Sequence, residues 1–173
     1  PYSQGIALEG IRLVKNNLVH AFNNGSNLEA RSHMLVSSSM GSIAFQKGLG
    51  AIHSLSHPVG AIYNTHHGLT NAVFMPYVLI KNKEVIEDKI INLSRYLNLK
   101  NESFNTFIEW ILEMRRELNI PHTLKELIKE DNLLEKMSEM ALSDPSTSTN
   151  PLELNKDDFL KLYQDSFNGN LDL

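Results

Sequence analysis

A chain of 173 residues, 42% hydrophobic and 21% charged, is long enough for one good core and too apolar for disorder. Its 16 basic and 20 acidic residues leave a net charge of −4, which gives nucleic-acid binding little electrostatic support. The lack of cysteine excludes disulfides, thiol catalysis and thiolate zinc sites and fits a reducing compartment, while no apolar run reaches the roughly 18 residues of a membrane-spanning helix.

The first 33 residues carry a helical period: Ile6, Leu8, Ile11, Leu13, Val14, Leu18 and Phe22 recur mostly at three- and four-residue intervals. Asn24-Gly25 stops this run, and Asn27 is placed to cap the next helix. Residues 34–80 hold Lys47 as their single formal charge. Within them "MLVSSSMGSIAF" predicts a helix of small residues suited to close packing, which Gly48 and Gly50 break. Ile52 to Tyr63 predicts a second helix, with Pro58 near its start or at a kink. Asn64-Thr65 makes a turn, and a third run opens at His67 or Gly68 and continues through Ile80 past Pro76. A zone apolar on nearly all sides is expected to be central to the fold.

Residues 81–173 return to amphipathic helices with charged outer faces, at Val85–Leu97, Ser103–Leu118, Leu124–Lys129, Asn132–Leu142 and Lys156–Phe167. Pro121, "DNL" from Asp131 and "SDPSTSTNP" over Ser143–Pro151 separate them, and Asn155 before "KDD" is an N-cap with an acidic first turn. No segment alternates long enough to demand a strand. The expected fold is all-α, a single multi-helix domain. Met34, Met40 and Met75 read as core filling and Trp110 as a packing anchor, while His20, His33 and His122 stand isolated.

Four of the seven histidines, His53, His57, His66 and His67, fall between Leu49 and Leu79, a stretch with no Asp, Glu, Lys or Arg. His53 and His57 are four apart, so on a helix both leave one face. That spacing suits two metal ligands, or one ligand with a proton-handling neighbour, or two satisfied core histidines. Burial among apolar residues favours neutral imidazole, the form that coordinates metal. Ser54 stands where an HExxH peptidase needs its Glu, which disfavours a zinc peptidase. His66 and His67 are adjacent and point different ways, so at most one joins the pair. No carboxylate lies near in sequence, and further ligands must come from far along the chain, from water, or from residues not present.

"AFQKGLGAIHSLSHPVGAIYNTHHGLTNAVFMPYVLIKN", Ala44 to Asn82, resembles the signature of the iron-containing alcohol dehydrogenases: G-x-A-F, a Gly-rich step, H-x-x-x-H-P-[LV]-G, then H-G-x-x-N-A and a Pro-bearing apolar helix. "PYSQGIALEGIRLVKNNL" is similar to a helix of that family, and "ALSDPSTSTNPLELNKDDFLKLYQDSF" to its DP-x-T-x-x-NP loop and last helix. The resemblance implies a two-domain enzyme with an N-terminal α/β domain binding NAD(P) and an all-helical domain holding the metal. This chain then corresponds to the helical domain, residues 1–173, and on its own is expected to be inactive. The dinucleotide-binding half and an Asp-x-x-x-His segment carrying two metal ligands are expected before Pro1.

By the same resemblance His53 and His67 match metal ligands. His57 matches the histidine near nicotinamide and substrate, with a catalytic and cofactor-binding role. Phe45 and Ser146 match the substrate pocket, and His66 is a neighbour, not a ligand. The chain departs from the family in a Phe45–His53 interval one residue shorter, in His66 where many members have Pro, and in Ser146 where some have Cys. The implied cofactors are a divalent metal, Fe2+ before Zn2+, and NAD(P). The implied partners are a small alcohol or aldehyde and further copies of the chain as a homodimer or larger homo-oligomer, without nucleic acid or membrane, in the cytoplasm. Two alternatives stay open: a metal-independent reductase of the maleylacetate reductase kind, and a non-catalytic helical metal-binding or interaction module.

Overall fold

A computed structural model describes residues 1–172, and among them every regular element is helical. Eight α-helices follow in chain order: α1 (Tyr2–Asn23), α2 (Leu28–Ala44), α3 (Ala51–Tyr63), α4 (His67–Lys81), α5 (Lys83–Tyr96), α6 (Phe104–Glu117), α7 (Leu134–Leu142) and α8 (Lys156–Asn168). Short 3-10 turns lie at Phe45–Lys47, Leu124–Glu126 and Pro145–Thr149. No helix of the described residues is long and apolar enough to cross a membrane.

The chain gathers into two compact units, Pro1–Lys47 with Asp88–Trp110, and Gly48–Glu87 with Ile111 onward. In the first, α1 packs along α2. Gly10 is where they come close: a Cβ there would meet Met40 at 3.4 Å, and the Ser37 hydroxyl donates to the Gly10 carbonyl at 2.9 Å. Leu13, Ala30, Ile90, Leu93, Leu97, Phe104, Phe107 and Ile108 are its buried apolar residues.

In the second unit α3 packs against α4 and α7, and α8 against α4 and α7. Its core joins Leu55 and Val59 of α3, Val73 and Phe74 of α4, Met137 of α7 and Phe159 and Tyr163 of α8, all fully buried. The Phe74 and Tyr163 rings meet edge to face at 5.6 Å. Local chemistry sets the helix ends. Asn27 accepts from the Ala30 amide at the start of α2, and Asn155 and Asp158 form a reciprocal capping box at the start of α8. Asn64, in the left-handed region at φ 52, closes α3, and Gly169 at φ 81 closes α8.

Several expectations need correcting. Only the α3–α4 part of the low-charge zone is central. On α2 the buried residues are Ala30 and Ser37, while Leu35 is 72% exposed, because small residues let α2 approach α1 along one face only. Met34, Met40 and Met75 are half-buried, and the fully buried methionine is Met137. Trp110 is likewise half-buried, with its ring 5.3 Å from Phe107. The expected helix at Leu124–Lys129 shortens to one turn, opened by the Thr123–Glu126 capping box. Pro58 lies well inside α3 and Pro76 inside α4, and both helices continue through them.

Candidate metal centre and its histidines

Three of the histidines singled out by spacing come together in the second unit. His53 and His57 sit one turn apart on α3, and His67 begins α4. The ring centroids are 5.9 Å apart for His53 and His57, 5.1 Å for His53 and His67, and 5.4 Å for His57 and His67, the last pair nearly parallel. His66 instead caps α4, its Nδ1 accepting from the Leu69 amide at 3.2 Å. The two adjacent histidines thus divide, one as a helix cap and one as a member of the cluster.

Sequence reasoning gave no role to Asn71, which lies one turn beyond His67 on α4. Its Nδ2 donates to His67 Nε2 at 3.0 Å and to His53 Nε2 at 3.3 Å. An amide nitrogen can only donate, so both Nε2 atoms present lone pairs and both rings carry their proton on Nδ1. Two imidazole lone pairs therefore converge on one point. Burial pushes His53 below the usual histidine range, and the neighbouring His67 and His57 rings push the same way; the Leu49 backbone opposes this weakly. His53 Nδ1 nevertheless makes no well-formed hydrogen bond, and Asn71 Oδ1 is also buried without a partner.

The converging nitrogens fit two ligand positions of a divalent metal, and the orphaned polar atoms show a cluster short of partners. Among the described residues no group of three or more His, Cys, Asp or Glu is arranged to hold a metal ion. This chain thus offers two donors, not a complete site.

His57 is anchored by a residue that local spacing could not have revealed. Its Nδ1 donates to Asp144 Oδ2 at 2.7 Å, across 87 positions of sequence. The side chain of His57 is 42% exposed and that of Asp144 only 13%. Burial pushes the Asp144 carboxyl up, but hydrogen bonds from His57 and from the backbone and side chain of Ser146 outweigh it, holding the group below its ordinary value. Ser146 itself is buried on the turn after Asp144 and donates its amide to Asp144 Oδ1 at 2.8 Å. Phe45 belongs to the first unit, on the turn Phe45–Lys47, and is half exposed.

The 144–150 loop grips the start of α3. Thr149 Oγ1 accepts from the amides of Leu49 and Gly50, each at 3.1 Å, and Asn150 Oδ1 accepts from Ala51 at 3.2 Å. Thr147 Oγ1 and Ser54 Oγ are hydrogen-bonded at 2.8 Å, and the Asn150 and Asn82 amides pair reciprocally. Gly48, at φ 128, is required here because any Cβ would collide with the Thr149 side chain.

Residues 1–167 match the model of the Fe-containing alcohol dehydrogenase family, C-terminal. The chain is 33% identical to the 4-hydroxybutyrate dehydrogenase of Cupriavidus necator over 175 residues, covering 96% of this chain and 45% of that protein. It is 29% identical to the NADPH-dependent butanol dehydrogenase of Clostridium saccharobutylicum over 178 residues, 98% of this chain and 45% of that one. Its fold superposes on a crystal structure of 1,3-propanediol oxidoreductase with a TM-score of 0.91 at 28% identity, covering 96% of this chain and 46% of that one. The chain therefore spans less than half the length of these relatives. With its all-helical fold and its match over residues 1–167, it belongs to the Fe-containing alcohol dehydrogenase family and corresponds to the family's C-terminal domain.

Proposed function

We propose that this chain is the metal-binding and proton-handling part of an NAD(P)-linked alcohol dehydrogenase that interconverts a small alcohol and its aldehyde or ketone. The observation that carries the reading is the convergence of His53 Nε2 and His67 Nε2 on one point, with the accessible His57 ring beside them. The relatives that act on butanol and on 4-hydroxybutyrate supply the substrate class.

His53 and His67 would hold the metal together with ligands from outside this chain. When bound, a divalent cation polarises the substrate oxygen while a nicotinamide gains or loses the hydride. Asn71 would have to release the two Nε2 atoms for this. His57 handles the proton: with Nδ1–H given to Asp144, its Nε2 has no protein hydrogen-bond partner among the described residues and is the atom left to take one up. In alcohol oxidation it takes the hydroxyl proton, and in carbonyl reduction it returns one. Ser146 and Phe45 are assigned to the substrate side by their match to the family's pattern. Iron in preference to zinc, a homo-oligomeric assembly, a cytoplasmic setting and inactivity of this chain alone belong to the same reading.

One observation favours a second reading. Asn71 already bonds the Nε2 of both rings, so those two atoms need no metal to be satisfied, as in a metal-independent reductase of the maleylacetate reductase kind. A non-catalytic metal-binding module differs from both in having no turnover.

The test is elemental analysis and NAD(P)-linked alcohol oxidation on the complete protein, with His53→Ala and His67→Ala beside it. Each substitution is expected to lower metal content and activity at least about tenfold. Metal and activity that both survive the two substitutions would remove these residues as ligands. Activity without stoichiometric metal in the unsubstituted protein would select the metal-independent reading.

A further inference from the structure

We propose that Asp144 is the positioning residue for His57: its carboxylate holds the ring's proton on Nδ1 and so leaves Nε2, which no described residue bonds, as the proton-accepting atom. This deepens the reading of His57 as the proton carrier and rests on it.

Geometry fixes the proton. The 2.7 Å bond to Asp144 Oδ2 is the one hydrogen bond that the His57 ring makes among the described residues, and a carboxylate there can only accept. Because the acceptor stands at Nδ1, the proton must be on Nδ1. The other oxygen of Asp144 is committed as well, to the Ser146 amide at 2.8 Å, so the carboxylate cannot swing to present a different edge.

A plain capping role accounts for only half of this. Capping the Pro145–Thr149 turn needs one acceptor, Oδ1. It leaves Oδ2 unexplained, and that is the oxygen aimed at the ring. Burial differs between the two partners in the same sense, with the carboxylate shielded and the imidazole open.

The loop that carries Asp144 is fastened to the helix that carries His57. Thr149 and Asn150 hold the amides of Leu49, Gly50 and Ala51, and Thr147 holds Ser54 one turn before the histidine. Carboxylate and ring therefore move as one piece. Pairs of this kind fix the tautomer and aim of a working imidazole, the role a buried carboxylate plays toward the histidine of a hydrolase triad.

Asp144→Asn isolates the effect. Asn is as good a cap as Asp, so Oδ1 still takes the Ser146 amide, but the atom facing His57 becomes an NH2 donor. It can bond the ring only if the proton moves to Nε2. The measurements, on the complete protein, are the 15N resonances of the His57 ring at a pH where it is neutral, steady-state alcohol oxidation, and metal content. The wild-type ring is expected to carry its proton on Nδ1 and the variant ring on Nε2. The kcat should fall roughly 10- to 100-fold with little change in KM and with metal content kept.

A wild-type ring protonated on Nε2 would overturn the proposal without any variant. So would an unchanged kcat in Asp144→Asn while His57→Asn lowers it, which leaves His57 as proton carrier and removes Asp144. If His57→Asn also leaves kcat unchanged, the proton-carrier reading fails, and this inference with it.

Discussion

Tyr163 shows how much one hydroxyl can decide. It is fully buried on α8, and its OH donates to the Leu55 carbonyl on α3 at 2.7 Å, between the positions of His53 and His57. Burial holds its phenol well above the ordinary range, so it is a permanent donor. The ladder of α3 is one bond short nearby, since Pro58 has no N–H to give the Ser54 carbonyl. Tyr163→Phe keeps the ring and its contact with Phe74 and removes only the donor. The expected cost is about 1–2 kcal/mol, read as a lower denaturant midpoint with unchanged slope. An unchanged midpoint would mean that the Leu55 carbonyl is satisfied within its helix. The residue scale is also where the sequence was most uneven as a guide. His53 and His57 were legible because a four-residue interval is a helical turn. Asn71 shares that geometry with His67, but an uncharged amide carries no mark of chemistry. The link from Asp144 to His57 crosses 87 positions, and no local spacing could show it.

At the scale of the element, the ends were more legible than the faces. Caps are local chemistry, and Asn27 and Asn155 do what their positions suggest. Which face of α2 is covered depends on neighbours, and a low charge density alone did not reveal that Leu28, Leu35, Val36 and Ile43 stay exposed. The start of α8 carries a prediction of its own. Asp158 accepts a hydrogen bond from the Asn155 amide at 3.0 Å and another from Lys81 Nζ at 2.6 Å, which ties α8 to α4. Burial pushes its carboxyl up, but the Asn155 amide and Lys81 outweigh that and hold it below its ordinary value. A carboxyl depressed in the folded state stabilises the fold above its unfolded value, and this is lost as pH falls through the lower folded one. Asp158→Asn is therefore expected to cost about 1 kcal/mol at neutral pH, a gap that closes on acidification below about pH 4. Melting curves across that range measure it. A gap that stayed constant would take the charge out of the account and leave only the side chain's shape.

Across the whole chain, burial is unequal. The second unit owns a continuous core running from Ala51 to Phe167, whereas α1 and α2 bury one narrow face and expose Tyr2, Phe22, Leu28 and Leu35. The all-α class was legible from helical periods throughout, but this inequality was not, because periodicity reports which residues share a face and not what covers it. Local opening follows buried contacts, so hydrogen exchange is expected to be slowest in α3, α4 and α8 and faster in α1 and α2. A metal held by His53 and His67 adds its binding free energy to the unit that holds them. Added Fe2+ or Zn2+ should therefore slow exchange across Ala51–Tyr63 and His67–Lys81, and His67→Ala should abolish that response while leaving the metal-free pattern in place. Metal that left α3 and α4 unchanged would separate binding from these two histidines, whatever the activity of the protein. Slow exchange in α1 and α2 of the complete protein would carry a different meaning: their apolar faces would be covered by residues beyond those described, since nothing within the first unit buries Leu28 or Leu35.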